Sequence, residues 1–222
     1  MNFLTISKIL LIGLLPALLF LYVLNFTAFD ESFYREKFAA YNVKQDVPEA
    51  VWLNEKVINF IKGKNNELPN EFNEREKQHL WDIRKFTVYF TIALYVFTIL
   101  FMLLLTFSII ILKVNNILMN FIAKIMIFGG IVTVMLAVAL SLSVILDFST
   151  TFESFHKLFF EKGTYLFDPA KEMIVKLYPE QLFMELGIRI LKWIILISTI
   201  IAFLGISLIF MSKNKKNKNR SK

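Results

Sequence analysis

Four stretches of this chain are too long, too apolar and too poor in charge to fold as anything but membrane spans. They run from about residue 9 to 26, 86 to 112, 117 to 146 and 193 to 211. Runs of about 18 or more apolar residues cross a bilayer as helices, because a helix satisfies its own backbone where no water can. The second, Phe86 to Leu112, holds 27 residues without a charge. The third carries one, Lys124, about two turns inside, within snorkelling reach of the near interface. With 56% of the residues apolar and no alternating strand pattern, the expected fold class is an all-α integral membrane protein.

The charges orient it. Met1 to Lys8, Lys113 to Lys124 and the tail 212–222 contain lysine and arginine but no acid. The long connections are different: residues 27–85 hold 10 basic and 11 acidic residues, and residues 147–185 hold 4 and 7. Basic excess marks the cytoplasmic side. Both termini are therefore expected to be cytoplasmic, with two helical extracytoplasmic loops, 27–85 and 147–185, capping the four-helix bundle. The basic tail 212–222 reads as a topology determinant touching anionic lipid rather than a nucleic-acid arm. The first run is expected to be an uncleaved anchor. It is long, contains Pro16 and lacks a good small-residue cleavage site. With no Gly/Ser linker or repeat, residues 1–222 read as a single membrane domain.

Several chemistries are excluded. There is no cysteine, so no disulfide, thiolate nucleophile or Cys-type metal site. No G-x-S-x-G, H-E-x-x-H or phosphate-cradling Gly-rich loop occurs. Two histidines alone are thin for a metal, although a metal or haem carried by the pair would be seen by elemental analysis.

In the first loop, "DVPEAVWLNEKVINFIKG" reads as a helix. Pro48 suits its first position, Ala50, Leu53, Val57, Phe60 and Ile61 form one stripe, and Gly63 suits its stop. Asn73 and Glu76 have the spacing of an N-cap with its reciprocal glutamate, opening a helix that runs through His79 into the second span. On that helix His79, Asp82, Ile83 and Phe86 share a face. In the second loop Phe152, Phe155, His156, Phe159 and Phe160 recur at helical spacing. Gly163 breaks the segment, and Asp168 with Pro169 suits the start of a further helix ending near Pro179.

Both histidines, His79 and His156, lie in aromatic settings beside a span, so they can converge on one site. A side-chain pKa near 6.5 suits proton transfer at neutral pH. Asp82 is placed to hold His79 in one tautomer. The plainer alternative is a pair of interfacial histidines bonded to backbone or headgroups. Arg84 and Arg189 suit interfacial anchoring or contact with a substrate's polar part, and Tyr41 suits a belt position or a hydroxyl donor at the site.

These same residues carry a resemblance. "EREKQHLWDIRKF" resembles the H-M-x-D-V-K signature of the bacterial lipoprotein intramolecular transacylases. "FHKLFFEKGTYLFDP" resembles that family's F-H-x-x-F-F…W-x-F-D-P stretch, and "LYPEQLF" its I-x-P-x-x-F-F. Leu80 stands where methionine is common, Ile83 and Arg84 replace Val and Lys, and Tyr165 takes a position often held by tryptophan. Four spans with a larger first loop also match.

The resemblance implies a multi-pass enzyme of the bacterial cytoplasmic membrane, known from Gram-positive species, with its active site facing outside. It implies transfer of the sn-2 acyl chain of a diacylglyceryl lipoprotein to the α-amino group of its N-terminal cysteine, giving lyso-form lipoprotein. It further implies His79, oriented by Asp82, as general base and His156 as proton donor or oxyanion stabiliser, with the two roles exchangeable. Arg84, Tyr41 and Arg189 would be substrate-binding. The partners would be diacylglyceryl-modified lipoproteins and membrane lipid, with no metal or organic cofactor and no nucleic acid. The competing expectation is a non-enzymatic four-span scaffold or assembly factor, which would tolerate loss of both histidines.

Overall fold

The computed structural model describes residues 2–113, 116–160 and 165–220, with side chains as far as Lys213. In chain order the helices are α1 (Phe3–Thr27), α2 (Glu31–Ala40), α3 (Val43–Asp46), α4 (Ala50–Ile61) and α5 (Glu74–Leu112). There follow α6 (Asn116–Leu146), α7 (Phe148–Phe159), α8 (Met173–Leu177) and α9 (Glu180–Arg220). No strand occurs among the described residues. Four helices, α1, α5, α6 and α9, are long and apolar enough to cross a membrane. The four apolar stretches of the sequence fall on these four helices. The chain is all-helical and membrane-integral in build. Large side chains such as Tyr95, Phe107, Leu146 and Phe203 stand exposed along these helices, as lipid-facing positions require.

The helices group into two compact units. The first comprises residues 1–24, 93–141 and 190–222 and is built only from parts of the four long helices. Its core centres on Leu11, Phe121 and Ile125, with Phe101, Leu104 and Leu105 packed against them. Apolar burial alone does not drive helices together in lipid, where tails are as apolar as leucine, so close backbone approach and interhelical hydrogen bonds matter more. Both are present. A Cβ added at Gly130 would lie 2.8 Å from the Ser198 carbonyl oxygen, and one at Gly205 2.9 Å from that of Ala123, so α6 and α9 meet backbone to backbone. The hydroxyls of Ser7 and Ser108 hydrogen-bond between α1 and α5 at 2.9 Å.

The second unit comprises residues 25–92 and 142–189. Here α2 packs on α3 and α4, and α3 on α8. The stripe expected on α4 is its buried face: Ala50, Leu53, Val57, Phe60 and Ile61 are buried, as is Asn54 between them. Asn54 is tolerated because its Oδ1 accepts from the Tyr178 hydroxyl at 3.0 Å. Gly63 ends the segment at φ +73°, where a side chain would be strained. Pro48 sits in the turn before α4 rather than at its first helical position. Asp30 caps α2 by accepting from the Ser32 amide at 3.0 Å.

One expected helix is shorter than its pattern. Asp168 accepts from the amide of Ala170, but residues 168–172 form turns and α8 begins only at Met173. The Glu172 carboxylate reaches back to the Asp168 amide and out to Arg75, and these bonds hold the chain in a turn that local helix signals do not reveal. Gly163, the expected break, lies outside the described residues.

Candidate active site

The Asn73–Glu76 box forms as its spacing requires. The Glu76 amide donates to Asn73 Oδ1 at 3.0 Å and the Asn73 amide to Glu76 Oε2 at 2.6 Å. With its start so fixed, α5 places His79 on its second turn, facing inward, with 4% of its surface exposed. The ring lies among Phe160 (centroids 5.0 Å apart), Phe167 (5.4 Å) and His156. The two imidazoles are 6.0 Å apart and inclined by only 26°. Two sequence-distant histidines therefore share one pocket.

His156 rides on α7, whose start is capped by Asp147 accepting from the Thr150 amide at 3.0 Å. Its ring contacts Phe152 (4.1 Å), Tyr165 (5.2 Å) and Phe160 (5.4 Å). Nδ1 lies 2.8 Å from the Phe152 carbonyl oxygen. A carbonyl can only accept, so Nδ1 carries the hydrogen and Nε2 of the neutral ring keeps the lone pair. Burial among these rings pushes the His156 pKa below 6.5, a shift the Phe152 hydrogen bond partly opposes. At neutral pH His156 is an uncharged base.

His79 is partnered differently. Its Nδ1 is buried and has no hydrogen-bond partner among the described residues. Leaving a buried polar atom unpaired costs about 1–3 kcal/mol, so such a group marks a place where stability yields to function. Burial, with the His156 ring beside it, pushes the His79 pKa down to about 4 against the opposing charge of Asp82, so at neutral pH both imidazoles are uncharged.

A second layer of polar contacts fixes the pocket. Glu76, 1% exposed, completes its cap with one oxygen and with the other accepts from the Ile174 amide at 2.7 Å. Arg75 pairs with Glu172, and its guanidinium lies over the Phe167 ring at 5.0 Å, the ring that contacts His79. The start of α5 is thereby latched to residues 167–174 from both sides of one helical turn. Glutamine at position 76 offers one acceptor where two amides need one each, so Glu76→Gln is expected to cost about 1–3 kcal/mol, read as a lowered thermal midpoint. An unchanged midpoint would show that the latch does not hold the segment.

The remaining sequence candidates are not brought to the histidines. Asp82 shares the helix face, but its carboxylate lies 3.3 Å from Lys85 Nζ and 3.5 Å from Gln78 Nε2 and makes no hydrogen bond with His79. Its short side chain is drawn to partners on α5 itself, while the His79 ring turns into the aromatic pocket; Asp82 acts on His79 through charge alone. Arg84 donates to the Asn65 carbonyl (3.0 Å) and Asn66 Oδ1 (3.2 Å) and lies over Phe60 and Trp81, so it ties down the chain after α4. Arg189 pairs with Asp30 at 2.6 Å. The Tyr41 hydroxyl donates to Glu185 at 2.5 Å, and Glu185 also pairs with Lys37. These three side chains have structural partners and no described contact with either histidine. Conversely, Glu76, Arg75, Glu172 and Phe167 are pocket residues that local sequence signals do not single out. The Asn73–Glu76 spacing announces a cap, but nothing local announces a partner 98 residues away.

Comparison with known proteins agrees with this fold. The family model described as "Lipoprotein intramolecular transacylase Lit" matches residues 9–183, more than three quarters of the chain. No curated protein matches. Among solved structures, the membrane-integral lipoprotein intramolecular transacylase Lit of Bacillus cereus superposes with a TM-score of 0.79 at 20% identity. The match covers 97% of this chain and 98% of that one. Two mutant structures of the same protein, with one histidine replaced by arginine or by alanine, give TM-scores of 0.75 and 0.77 at 19% identity. They cover 99% and 95% of this chain, and 95% of the mutant chain in each case.

Proposed function

The chain belongs to the lipoprotein intramolecular transacylase family, and from that membership we propose that its histidine pocket moves the sn-2 acyl chain of a diacylglyceryl lipoprotein onto the α-amino group of its N-terminal cysteine. The observation that carries the assignment to this pocket is the buried His79–His156 pair, ring centroids 6.0 Å apart, with one imidazole nitrogen unpartnered among the described residues.

The reaction suits what the pocket contains. Nucleophile and ester lie on one substrate molecule, so the protein need supply no nucleophile, and holding amine against ester supplies much of the rate. The α-amine attacks the ester carbonyl, the carbonyl–glyceryl oxygen bond breaks, and one proton passes from nitrogen to the departing oxygen. His156, with Nε2 free to accept, takes the amine proton. His79 either relays that proton, taking it from His156 at one nitrogen as it gives one up to the glyceryl oxygen from the other, or donates a hydrogen bond to the oxyanion. This exchanges the roles first expected from the sequence, because the Phe152 carbonyl commits His156 to one tautomer. Asp82 favours the charged form of His79 from a distance. The aromatic rings exclude water, whose attack on the ester would hydrolyse it. Arg84, Tyr41 and Arg189 are engaged with Asn65, Glu185 and Asp30 in the same unit.

The acid-free ends and connections, against long loops richer in acid, support placement in a bacterial cytoplasmic membrane with the pocket facing outward. The test is expression in a bacterial host lacking lipoprotein N-acylation, followed by mass spectrometry of one lipoprotein's N-terminus. The expected product is N-acylated and S-monoacylglyceryl. An unmodified diacylglyceryl form, with the protein expressed and folded, would sink the proposal.

The rate should also report His156. Its neutral form is the active one and its pKa lies below 6.5, so kcat should carry an acid limb with a midpoint below 6.5, in addition to the limb of the substrate's own α-amine at about 7.7–8.0. A lower limb that persists unchanged in His156→Ala would contradict the assignment.

A further inference from the structure

The first unit holds ten of the chain's 25 lysines and arginines and none of its 18 aspartates and glutamates. Cations within this unit therefore have no carboxylate of their own unit to pair with. Two of them, Lys8 and Lys124, line one cavity of about 240 Å³ together with Asn2, Thr5 and Asn120. That volume is several times the roughly 30 Å³ share of a water molecule in the liquid. Leu4, Leu112, Ile117 and Phe121 form its apolar wall. Among the described residues neither lysine takes part in an ion pair.

The position sharpens the need for an anion. Lys124 lies eight residues into α6, about 12 Å along the axis from Asn116, in a helix that crosses the apolar layer. An ammonium at such a depth is costly unless a counter-charge or water reaches it. The first turns of α1 and α6 both contribute to the lining, against the single C-terminal end of α5 at Leu112, so two positive helix-dipole ends outnumber one negative end beside the two lysines. Asn2 Oδ1 already accepts from the Thr5 amide and hydroxyl, which leaves the Asn2 side-chain amide nitrogen as a donor at the cavity. Two cations, aliphatic and aromatic side chains in the same lining, and no acid within the unit match the chemistry of a phosphate that carries acyl chains.

We propose that this cavity binds the headgroup phosphate of an anionic phospholipid, with Lys8 and Lys124 as its ligands. The site is separate from the histidine pocket and does not depend on the proposed reaction. The full-length protein, exchanged into phosphatidylglycerol or phosphatidylcholine of identical acyl chains, is examined by native mass spectrometry. One phosphatidylglycerol should be retained in preference to phosphatidylcholine. Lys8→Gln combined with Lys124→Gln should weaken that retention about tenfold or more, Lys124→Arg should preserve it, and Lys213→Gln in the tail should leave it unchanged. Should the double variant fail to express, each single glutamine variant should show part of the loss. Equal retention of the two lipids, or retention unaffected by the glutamine variants, overturns the proposal. So does displacement of phosphatidylglycerol by millimolar inorganic phosphate, which would make this a site for the free anion.

Discussion

Replacing His79 by phenylalanine is expected to abolish N-acylation while leaving the fold as stable or more so. The two effects come from the same atom. His79 Nδ1 is buried without a partner among the described residues, and the ring is surrounded by Phe160, Phe167 and His156. A phenyl ring in this place removes the unpaired nitrogen, whose burial costs about 1–3 kcal/mol, and keeps the aromatic contacts. Against this gain stands some overpacking from the larger ring, so the net change in thermal midpoint should be small or upward. Catalysis has no such compensation. Loss of a positioned acid or base typically lowers the rate by about 10²–10⁴. The measurement pairs mass spectrometry of lipoprotein N-termini with a thermal scan of the purified variant. Full activity in His79→Phe would remove His79 from the mechanism. Lost activity with a collapsed midpoint would show that the residue is mainly structural.

The second large effect is expected at His156. His156→Ala should reduce turnover by a similar 10²–10⁴, but with a loss of stability, since it breaks the bond to the Phe152 carbonyl and empties space between Phe152 and Tyr165. The informative measurement is the double variant. If the two imidazoles pass one proton through one transition state, removing the second after the first should cost little more, as for groups that act as a unit. Fully multiplicative losses would mean that the two residues act in separate steps. The lower acid limb of the pH profile should vanish in His156→Ala and persist, at much lower rate, in His79→Phe.

Much of the frame was legible along the chain. The four apolar runs name the four long helices, because a lipid-facing helix must be apolar over its whole length. The cap at Asn73–Glu76 and the stripe on α4 follow from contacts within one or two turns, where sequence spacing equals spatial spacing. Both histidines were visible as candidates because the chain has so few. What was not legible shares one cause. Asp82 stands on the right face for His79, yet side chains three apart on a helix also have neighbours three further on, and Lys85 takes the carboxylate. The fold gives Arg84, Arg189 and Tyr41 the partners Asn65, Asp30 and Glu185, which no local sequence spacing announces.

By itself, then, the sequence determined a four-span helical membrane protein, the start of the helix that carries His79, and a short list of groups able to move protons at neutral pH. These follow from hydropathy, local spacing and residue chemistry, each expressed within a few turns of chain. Only the tertiary structure decided that His79 and His156 share one pocket and that Glu76 reaches Ile174. It also decided that the Phe152 carbonyl, with the imidazole turned toward it, assigns the His156 tautomer. Contacts between residues nearly a hundred positions apart depend on how helices pack, and the tautomer depends on which way a ring turns once they have packed.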